Sequence, residues 1–368
     1  MKMRDRSRSR LKGILFEHQC ISRQNVIELS KLNGRTVTRC MELLAEQQLV
    51  EISRQSIARG QPQILYTLRQ ENIFFLLLTV TCNELYTILC DNRGFPQVMH
   101  KQQINTGKSI QALLPLLFAA ADRMITEPIL QGKKIYSAAV DFSFDYALSG
   151  NLRNRIVNML AKFCTHEVFC GYSDEFLLSQ YAINNRLNGR ILGVIHKEPS
   201  GWQQLAVSDC RIDQTLEVKT DKLLQSVTDF SGGKTLKEVL DFKSFLKNFY
   251  HQEFAGLKNS FASSYSEVYS RALYGSSNAV KILEDYAVIL GKSLVYFYKK
   301  LNIDHIVLMH SRPIVIDRVL ATAGQEDEKI SILTANFSPC EFIYSAAGYL
   351  RRDLFGFEHG KLLTNITN

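Results

Sequence analysis

Apolar residues recur at helical spacing near the start of the chain and predict two short helices joined by a tight turn. The first helix would begin after Ser22, a good N-cap, and its apolar positions follow at i, i+3 and i+6: Val26, Leu29 and Leu32. Asn33 can cap the second helix after a turn of only three residues. The apolar face of that second helix, which we expect to pack inward, consists of Val37, Cys40, Met41 and Leu44.

The polar face of the second helix carries groups that can contact DNA. Its first two turns present guanidinium and hydroxyl groups on four residues: Arg35, Thr36, Thr38 and Arg39. From a helix in the major groove, such side chains reach phosphates and base edges. We therefore interpret this segment as the recognition helix of a helix-turn-helix.

A β-hairpin is predicted after this helix, because short β-type runs at residues 50–53 and 64–68 flank a basic loop. The hairpin carries Arg54, Arg59 and Gln61, and Arg59 at its tip can enter a minor groove or hold a phosphate. Residues 1–70 are thus predicted to form a winged helix-turn-helix domain. The alternative is a small helical domain with solvated arginines, but caps, turn, basic face and hairpin all agree with DNA binding.

The segment before these helices is basic and is predicted to be a mobile arm. It would add phosphate contacts from Arg6, Arg8 and Arg10, while Leu11, Ile14 and Leu15 start the first helix of the domain. The apolar residues that follow are too few for a signal peptide, so the sequence predicts a cytoplasmic protein.

Strand and helix patterns alternate through the rest of the chain, which predicts an α/β body of two lobes. We place the first lobe at residues 71–189 and the second at residues 190–368. The second contains a strong helix signal at 279–301 and a closing helix at 339–355, which either stays there or returns to the first lobe. The apolar run 73–80 is far shorter than the roughly 20 residues of a membrane helix and predicts a buried strand.

Charge is concentrated at the N-terminus. The chain has 368 residues and a formal charge of +8, and residues 1–69 hold 13 Lys or Arg against 6 acidic residues. This asymmetry indicates a DNA-binding head on a nearly neutral body. The eight cysteines are scattered without a CxC or CxxC pair, which predicts reduced, mostly buried thiols.

A winged helix-turn-helix followed by a two-lobed α/β body resembles the ROK family, which groups sugar-responsive bacterial repressors with sugar kinases of the actin-like fold. GRTVTR at 34–39 is similar to the family's recognition-helix run, and RGQPQ at 59–63 to its wing tip. The segment 276–308 resembles the long helix and strand of the second lobe, and YSAAGYL at 344–350 resembles the final helix. The resemblance implies a DNA-binding head on an actin-like sugar-kinase body.

The chain departs from the family at the sites that carry kinase chemistry. The family's magnesium-binding aspartate falls on Thr79, and its phosphate turns fall on VDFSF at 140–144 and HKEPSG at 196–201. Neither stretch offers a backbone cradle for phosphates. The family's zinc site has no counterpart after Cys210. We therefore expect no catalytic residues, no metal and no cofactor.

Three acidic residues remain as candidate ligand-binding groups: Asp174, Glu175 and Asp213. The family's catalytic Asn-Asp pair aligns near Tyr172 and Ser173, and a shift of one position would place its base on Asp174. The alternative for Asp174 is a helix N-terminal carboxylate stabilised by the helix dipole, which we favour.

Together these observations predict a transcriptional regulator, most consistent with a repressor, whose body has lost catalysis. Its expected partners are double-stranded DNA, a second copy in a homodimer or homotetramer, and a small-molecule or protein effector. Two alternatives stay open: a sugar kinase with an N-terminal extension, and a body that only dimerises.

Overall fold

The structure is a computed structural model that describes most of the chain. The described residues are 3–55, 62–81, 83–105, 110–131, 133, 135–143, 148–197, 201–227, 234–242, 244–247, 265–309, 313–337 and 339–355. The chain forms two compact units: Met1–Phe176 with Phe342–Asn368, and Leu177–Glu341.

The N-terminal part of the first unit, residues 3–68, contains three helices and a small sheet, and we call it the head. Its elements are α1 (Met3–His18), β1 (Cys20–Ser22), α2 (Arg23–Ser30), α3 (Gly34–Glu46), β2 (Val50–Gln55) and β3 (Gln63–Leu68). The strands lie in the order β1-β3-β2, and both pairings are antiparallel. The predicted helix pair and the strands of the predicted hairpin are confirmed. Strand β1, which the sequence pattern did not indicate, forms the third strand.

Two details of the predicted head are wrong. Residues 3–10, predicted to be a mobile arm that precedes the first helix, form the first turns of α1, whose Leu11 and Leu15 are completely buried. Leu29 is not part of the buried stripe of α2, since 47% of it is exposed. The reason is that α2 has only eight residues and turns Val26 and Ser30, which are four positions apart, toward the core.

The rest of the first unit is an α/β lobe. Its elements are β4 (Phe74–Val80), β5 (Glu84–Asp91), β6 (Pro96–Gln103), α4 (Ile110–Ile125), β7 (Ile135–Phe142), α5 (Gly150–Leu160), β8 (Val168–Tyr172) and the start of α6 (Ser173–Asn184). The sheet order is β6-β5-β4-β7-β8, in which β4, β5 and β6 are antiparallel and β7 and β8 run parallel to β4. Every residue of β4 is buried, as a central strand covered on both faces requires.

The second unit repeats this topology. It contains the end of α6 and then β9 (Arg190–Lys197), β10 (Gly201–Ser208), β11 (Arg211–Ile212), α7 (Gln214–Ser226), α8 (Leu236–Leu240), α9 (Tyr265–Leu273), α10 (Ser277–Leu301), β12 (His305–Met309), α11 (Pro313–Glu326) and β13 (Ile332–Ala335). The sheet order is β11-β10-β9-β12-β13, with β12 parallel to both β9 and β13. The strong helical signal at 279–301 corresponds to α10, the longest described helix, which supplies much of the core of this unit.

The two units divide inside α6, earlier than the lobe boundary expected at residue 189. The division follows from packing, because Ser179 in the later part of α6 donates a hydrogen bond to the Cys210 carbonyl of the second unit. The closing helix, α12 (Pro339–Phe355), belongs mainly to the first unit. Its Tyr349 ring lies edge-on to Phe169 and Phe176, with centroids 5.0 and 5.2 Å away.

Helix α1 of the head also contacts the lobe of the first unit. Lys12 Nζ donates to the Tyr136 hydroxyl of β7 at 2.9 Å, and the Arg351 guanidinium of α12 lies 4.7 Å from the centre of the Phe16 ring. Burial lowers the pKa of Lys12 to about 8, against the opposing effect of the Asp353 carboxylate. Among the described residues, we find no helix long and apolar enough to cross a membrane.

Candidate functional site

Local hydrogen bonds and one left-handed residue end α2 and start α3. Ser22 caps α2 by accepting from the Asn25 N–H, and Lys31 ends the helix in the left-handed conformation at φ 54°. Asn33 then caps α3, because its side chain accepts from the Thr36 N–H at 2.8 Å. Both predicted caps are therefore present, and they leave only a short turn between the helices.

Helix α3 has one buried face and one polar face. Val37, Cys40, Met41 and Leu44 are buried as predicted, and the helix contacts α1, α2 and β2. On the opposite face Arg35 and Arg39 are exposed and lie one turn apart, while Thr36, to one side of them, is half-buried. The two guanidinium groups therefore point away from the core of the head, where a phosphate or base edge can reach them.

Thr38, also predicted to contact DNA, makes hydrogen bonds inside the head. Its hydroxyl donates to the Gly34 carbonyl at 2.9 Å and accepts from Arg23 Nε at 3.1 Å. Because the Thr38 hydroxyl already donates its hydrogen to a carbonyl, it is not free to donate to DNA. Its bond to Arg23 instead helps to position that side chain against α3. Arg23 was missed by sequence reasoning because its partner lies 15 residues away on another helix.

The hairpin residues fall partly outside the described chain. Arg54 is exposed near the end of β2, where it pairs across the ladder with Ile64. Arg59 and Gln61 lie outside the described residues. In α1, Arg10 is exposed and Arg8 is half-buried, and the side chain of Arg6 is not among those described.

A buried polar cluster lies at the ends of two parallel strands in the first unit. Thr79 of β4 is opposite Asp141 of β7, and its hydroxyl donates to Asp141 Oδ1 at 2.8 Å. Ser173, the first residue of α6, donates to Asp141 Oδ2 at 2.7 Å. Burial raises the pKa of Asp141 to about 7, although both hydroxyl donors act in the opposite direction. Ligands of open α/β sheets bind at the carboxyl ends of parallel strands, so Asp141 lies where a ligand-binding carboxylate is expected.

Asp141 was not recognised as a candidate from the sequence. The resemblance to the ROK family points to Thr79, which has no carboxylate, whereas the carboxylate lies on the neighbouring strand. The available signal was an aspartate inside the otherwise apolar run at 138–142. Asp174, which was predicted, is completely buried in the first turn of α6, and its charge contributes to the raised pKa of Asp141.

Glu175 was predicted to bind a ligand, but it forms a buried ion pair. Its carboxylate accepts three hydrogen bonds at 3.1 Å from the Arg153 guanidinium and one at 2.6 Å from the Tyr172 N–H. Gly171 makes room for this arrangement, since a Cβ at that position would overlap Glu175 Oε2. These strong intramolecular donors favour a structural role for the carboxylate over the predicted contact with a ligand.

Asp213 has a structural role of a different kind. It is the N-cap of α7, where Oδ1 accepts from the Leu216 N–H at 3.0 Å and Oδ2 accepts from the Ser208 hydroxyl at 2.6 Å. It also borders an open groove of about 610 Å³ with Arg190, Asp209 and Asp304. Within the described residues, no group of three His, Cys, Asp or Glu side chains is arranged to hold a metal ion.

These features define a protein with an actin-like sugar-kinase fold and an additional head, and comparison with solved structures identifies the fold as that of the ROK proteins. A ROK family transcriptional regulator, described as a homologue of the E. coli MLC protein, superimposes with a TM-score of 0.67. The match covers 96% of this chain and 97% of that one at 14% identity.

Kinases of this fold match a smaller part of the chain. The ROK hexokinase from Thermus thermophilus has a TM-score of 0.54 and 13% identity over 75% of this chain and 99% of its own. A putative sugar kinase from Cytophaga hutchinsonii has a TM-score of 0.52 and 15% identity over 75% and 99%. A quarter of this chain is therefore additional to the kinase fold.

Sequence comparison adds little to the structural match. The uncharacterized protein y4fQ of Sinorhizobium fredii is 23% identical over 144 residues, which are 39% of this chain and 36% of that protein. The alignment thus spans about a third of that relative's length. No protein-family model matches the chain.

Proposed function

We propose that this protein is a sequence-specific DNA-binding transcriptional regulator, acting as a repressor, and that its head is a winged helix-turn-helix. The observation that carries the proposal is helix α3, capped by Asn33 and buried along one face, which leaves Arg35 and Arg39 exposed on the other. The regulator with the same fold, which matches 96% of the chain where the kinases match 75%, supports it further.

Base contacts in this proposal come mainly from Arg35, Thr36 and Arg39 on α3. Arg54, Arg59 and Gln61 of the hairpin, together with the basic residues of α1, would contact phosphates or the minor groove. Binding by a basic surface releases counterions, so affinity should fall steeply with salt, with a slope of roughly −0.9 per phosphate neutralised.

The test is a binding isotherm on DNA selected by the full-length protein from a random duplex library. Replacing both Arg35 and Arg39 by alanine should weaken binding by about 1–3 kcal/mol for each arginine that hydrogen-bonds a base, and it should relax the selected sequence. Arg123→Ala, which removes an exposed arginine from α4, is the matched control and should bind normally. Unchanged affinity in the double variant would refute the assignment of α3 as the recognition helix.

We further propose that two copies act together. A single small head makes few contacts, whereas a two-fold pair of heads binds half-sites about 34–36 Å apart, one helical turn of DNA. Light scattering should give a dimer or tetramer, and footprinting should give a near-palindrome. A monomer that protects one half-site at full affinity would contradict this.

The body in this proposal responds to an effector and does not catalyse phosphoryl transfer. Thr79 stands where the kinases would need a magnesium-binding carboxylate, and phosphoryl transfer depends on positioned magnesium. Asp174 and Asp213 stay the candidate effector contacts in this proposal, and simple hexoses should bind weakly or not at all. ATP turnover with any hexose would instead support a sugar kinase with an N-terminal extension.

A further inference from the structure

Two buried donors lie in the first unit, one on the turn between β5 and β6 and the other on α12. Arg351 of α12 is 8% exposed and Asn92 of the turn is 3% exposed. Within the described part of the chain, neither Arg351 Nη1 nor Asn92 Nδ2 has a hydrogen-bond acceptor. Buried polar groups in proteins nearly always have a partner, so two such donors on packed segments are a reason to look for an acceptor that binds there.

Packing and charge connect the turn with the part of α12 that carries Arg351. Gly94 has a positive φ of 85°, and a Cβ at that position would lie 3.6 Å from Ala347 Cβ, one helical turn before Arg351. The charges of Asp91 and Arg93, the two neighbours of Asn92, both act on the Arg351 guanidinium. The turn therefore covers this part of α12.

The surroundings favour an anion over a neutral acceptor. Asp91 is occupied by the turn itself, because Oδ1 accepts the N–H groups of Arg93 and Phe95 at 2.9 and 3.0 Å and Oδ2 accepts from Gln97 at 3.2 Å. Burial lowers the pKa of Arg351, and the charges that act on it are one carboxylate, Asp91, and a second guanidinium, Arg93. A bound oxyanion would balance this excess and use the planar donor geometry of the arginine.

We propose that Asn92 and Arg351 bind a small oxyanion, a carboxylate or phosphate group, beside the first helix of the head. The carbon atom of the Arg351 guanidinium is 4.7 Å from the centre of the Phe16 ring in α1. The ligand would therefore bind an arginine that itself packs against this helix. The site is distinct from Asp141 and does not depend on DNA binding.

The test measures the melting temperature of the full chain, and its binding heat by titration calorimetry, in inorganic phosphate, sulfate and acetate. Chloride at equal ionic strength is the reference. We expect a saturable rise in melting temperature with an oxyanion. Acetate alone would identify a carboxylate site, and phosphate and sulfate a tetrahedral one. A response in no oxyanion would assign the acceptor to the chain itself and overturn the proposal.

Variants locate the response. In this proposal Asn92→Asp supplies Arg351 with a carboxylate from the chain itself, so it should raise the melting temperature in chloride and abolish the oxyanion effect. Arg351→Lys keeps the charge but lacks the planar fork, and it should weaken binding by about tenfold or more. The Arg35→Ala/Arg39→Ala protein should respond like the wild type. If that protein shows no response, or Asn92→Asp keeps it, the anion binds elsewhere and the proposal is wrong.

Discussion

The assignment of Glu175 to a structural ion pair can be tested by removing its carboxylate. Glu175→Ala would leave the Arg153 guanidinium, whose residue is only 6% exposed, without its three hydrogen bonds to the carboxylate. The Tyr172 N–H would be deprived of its acceptor as well. Breaking a buried ion pair from one side costs about 3–5 kcal/mol, because the remaining charge stays desolvated. We expect a decrease of that size in the unfolding free energy of the first unit.

The assay has to report on the first unit by itself. The single tryptophan, Trp202, lies in the second unit, so its fluorescence is unsuitable. Hydrogen exchange of peptides from α5 and β8 under increasing urea gives the local opening free energy. Asp122→Ala, at an exposed position of α4, is the control and should change stability by less than about 0.5 kcal/mol.

A double variant distinguishes an ion pair from a general packing defect. Replacing Arg153 by Met and Glu175 by Leu removes both charges, and apolar replacements of buried pairs are often neutral or stabilising. The double variant should therefore be clearly more stable than Glu175→Ala. A destabilisation below about 1 kcal/mol in Glu175→Ala, or no recovery in the double variant, would refute the structural role.

Three further variants test other parts of the fold. The pKa of Asp141 is raised to about 7 in the folded chain and is about 3.9 when unfolded, so the folded state binds more protons between these values and its stability falls as pH rises through that window. Asp141→Asn should therefore flatten the dependence of melting temperature on pH between about 5.5 and 7.5. An unchanged slope would contradict the buried carboxyl. Gly171→Ala should lower the free energy of unfolding in urea by about 1–3 kcal/mol, because its Cβ would displace the Glu175 carboxylate. An unchanged free energy would mean that the carboxylate can move aside. Tyr286→Phe should lower the free energy of unfolding by about 1–3 kcal/mol, because it removes the 2.8 Å hydrogen bond to the buried Leu240 carbonyl. A stability equal to that of the wild type would show that this bond contributes nothing.

The sequence by itself determined the elements whose cause is local. The caps at Ser22 and Asn33 join atoms three residues apart, and the buried face of α3 follows from helical spacing alone. The same holds for α10 and for β4, where continuous apolar character indicates a strand covered on both faces. The exposed positions of Arg35 and Arg39 followed from the face opposite the apolar one.

Only the tertiary structure decided which side chains meet across the fold. Thr79 and Asp141 are 62 residues apart and come together because β4 and β7 pair in one register. Glu175 could be interpreted as a ligand group until its partner Arg153, 22 residues away, was known. A carboxylate in the sequence has the same chemistry whether it binds a ligand, pairs with arginine or caps a helix. Its role depends on the donors that distant segments bring to it, and that choice is made by packing of the whole unit.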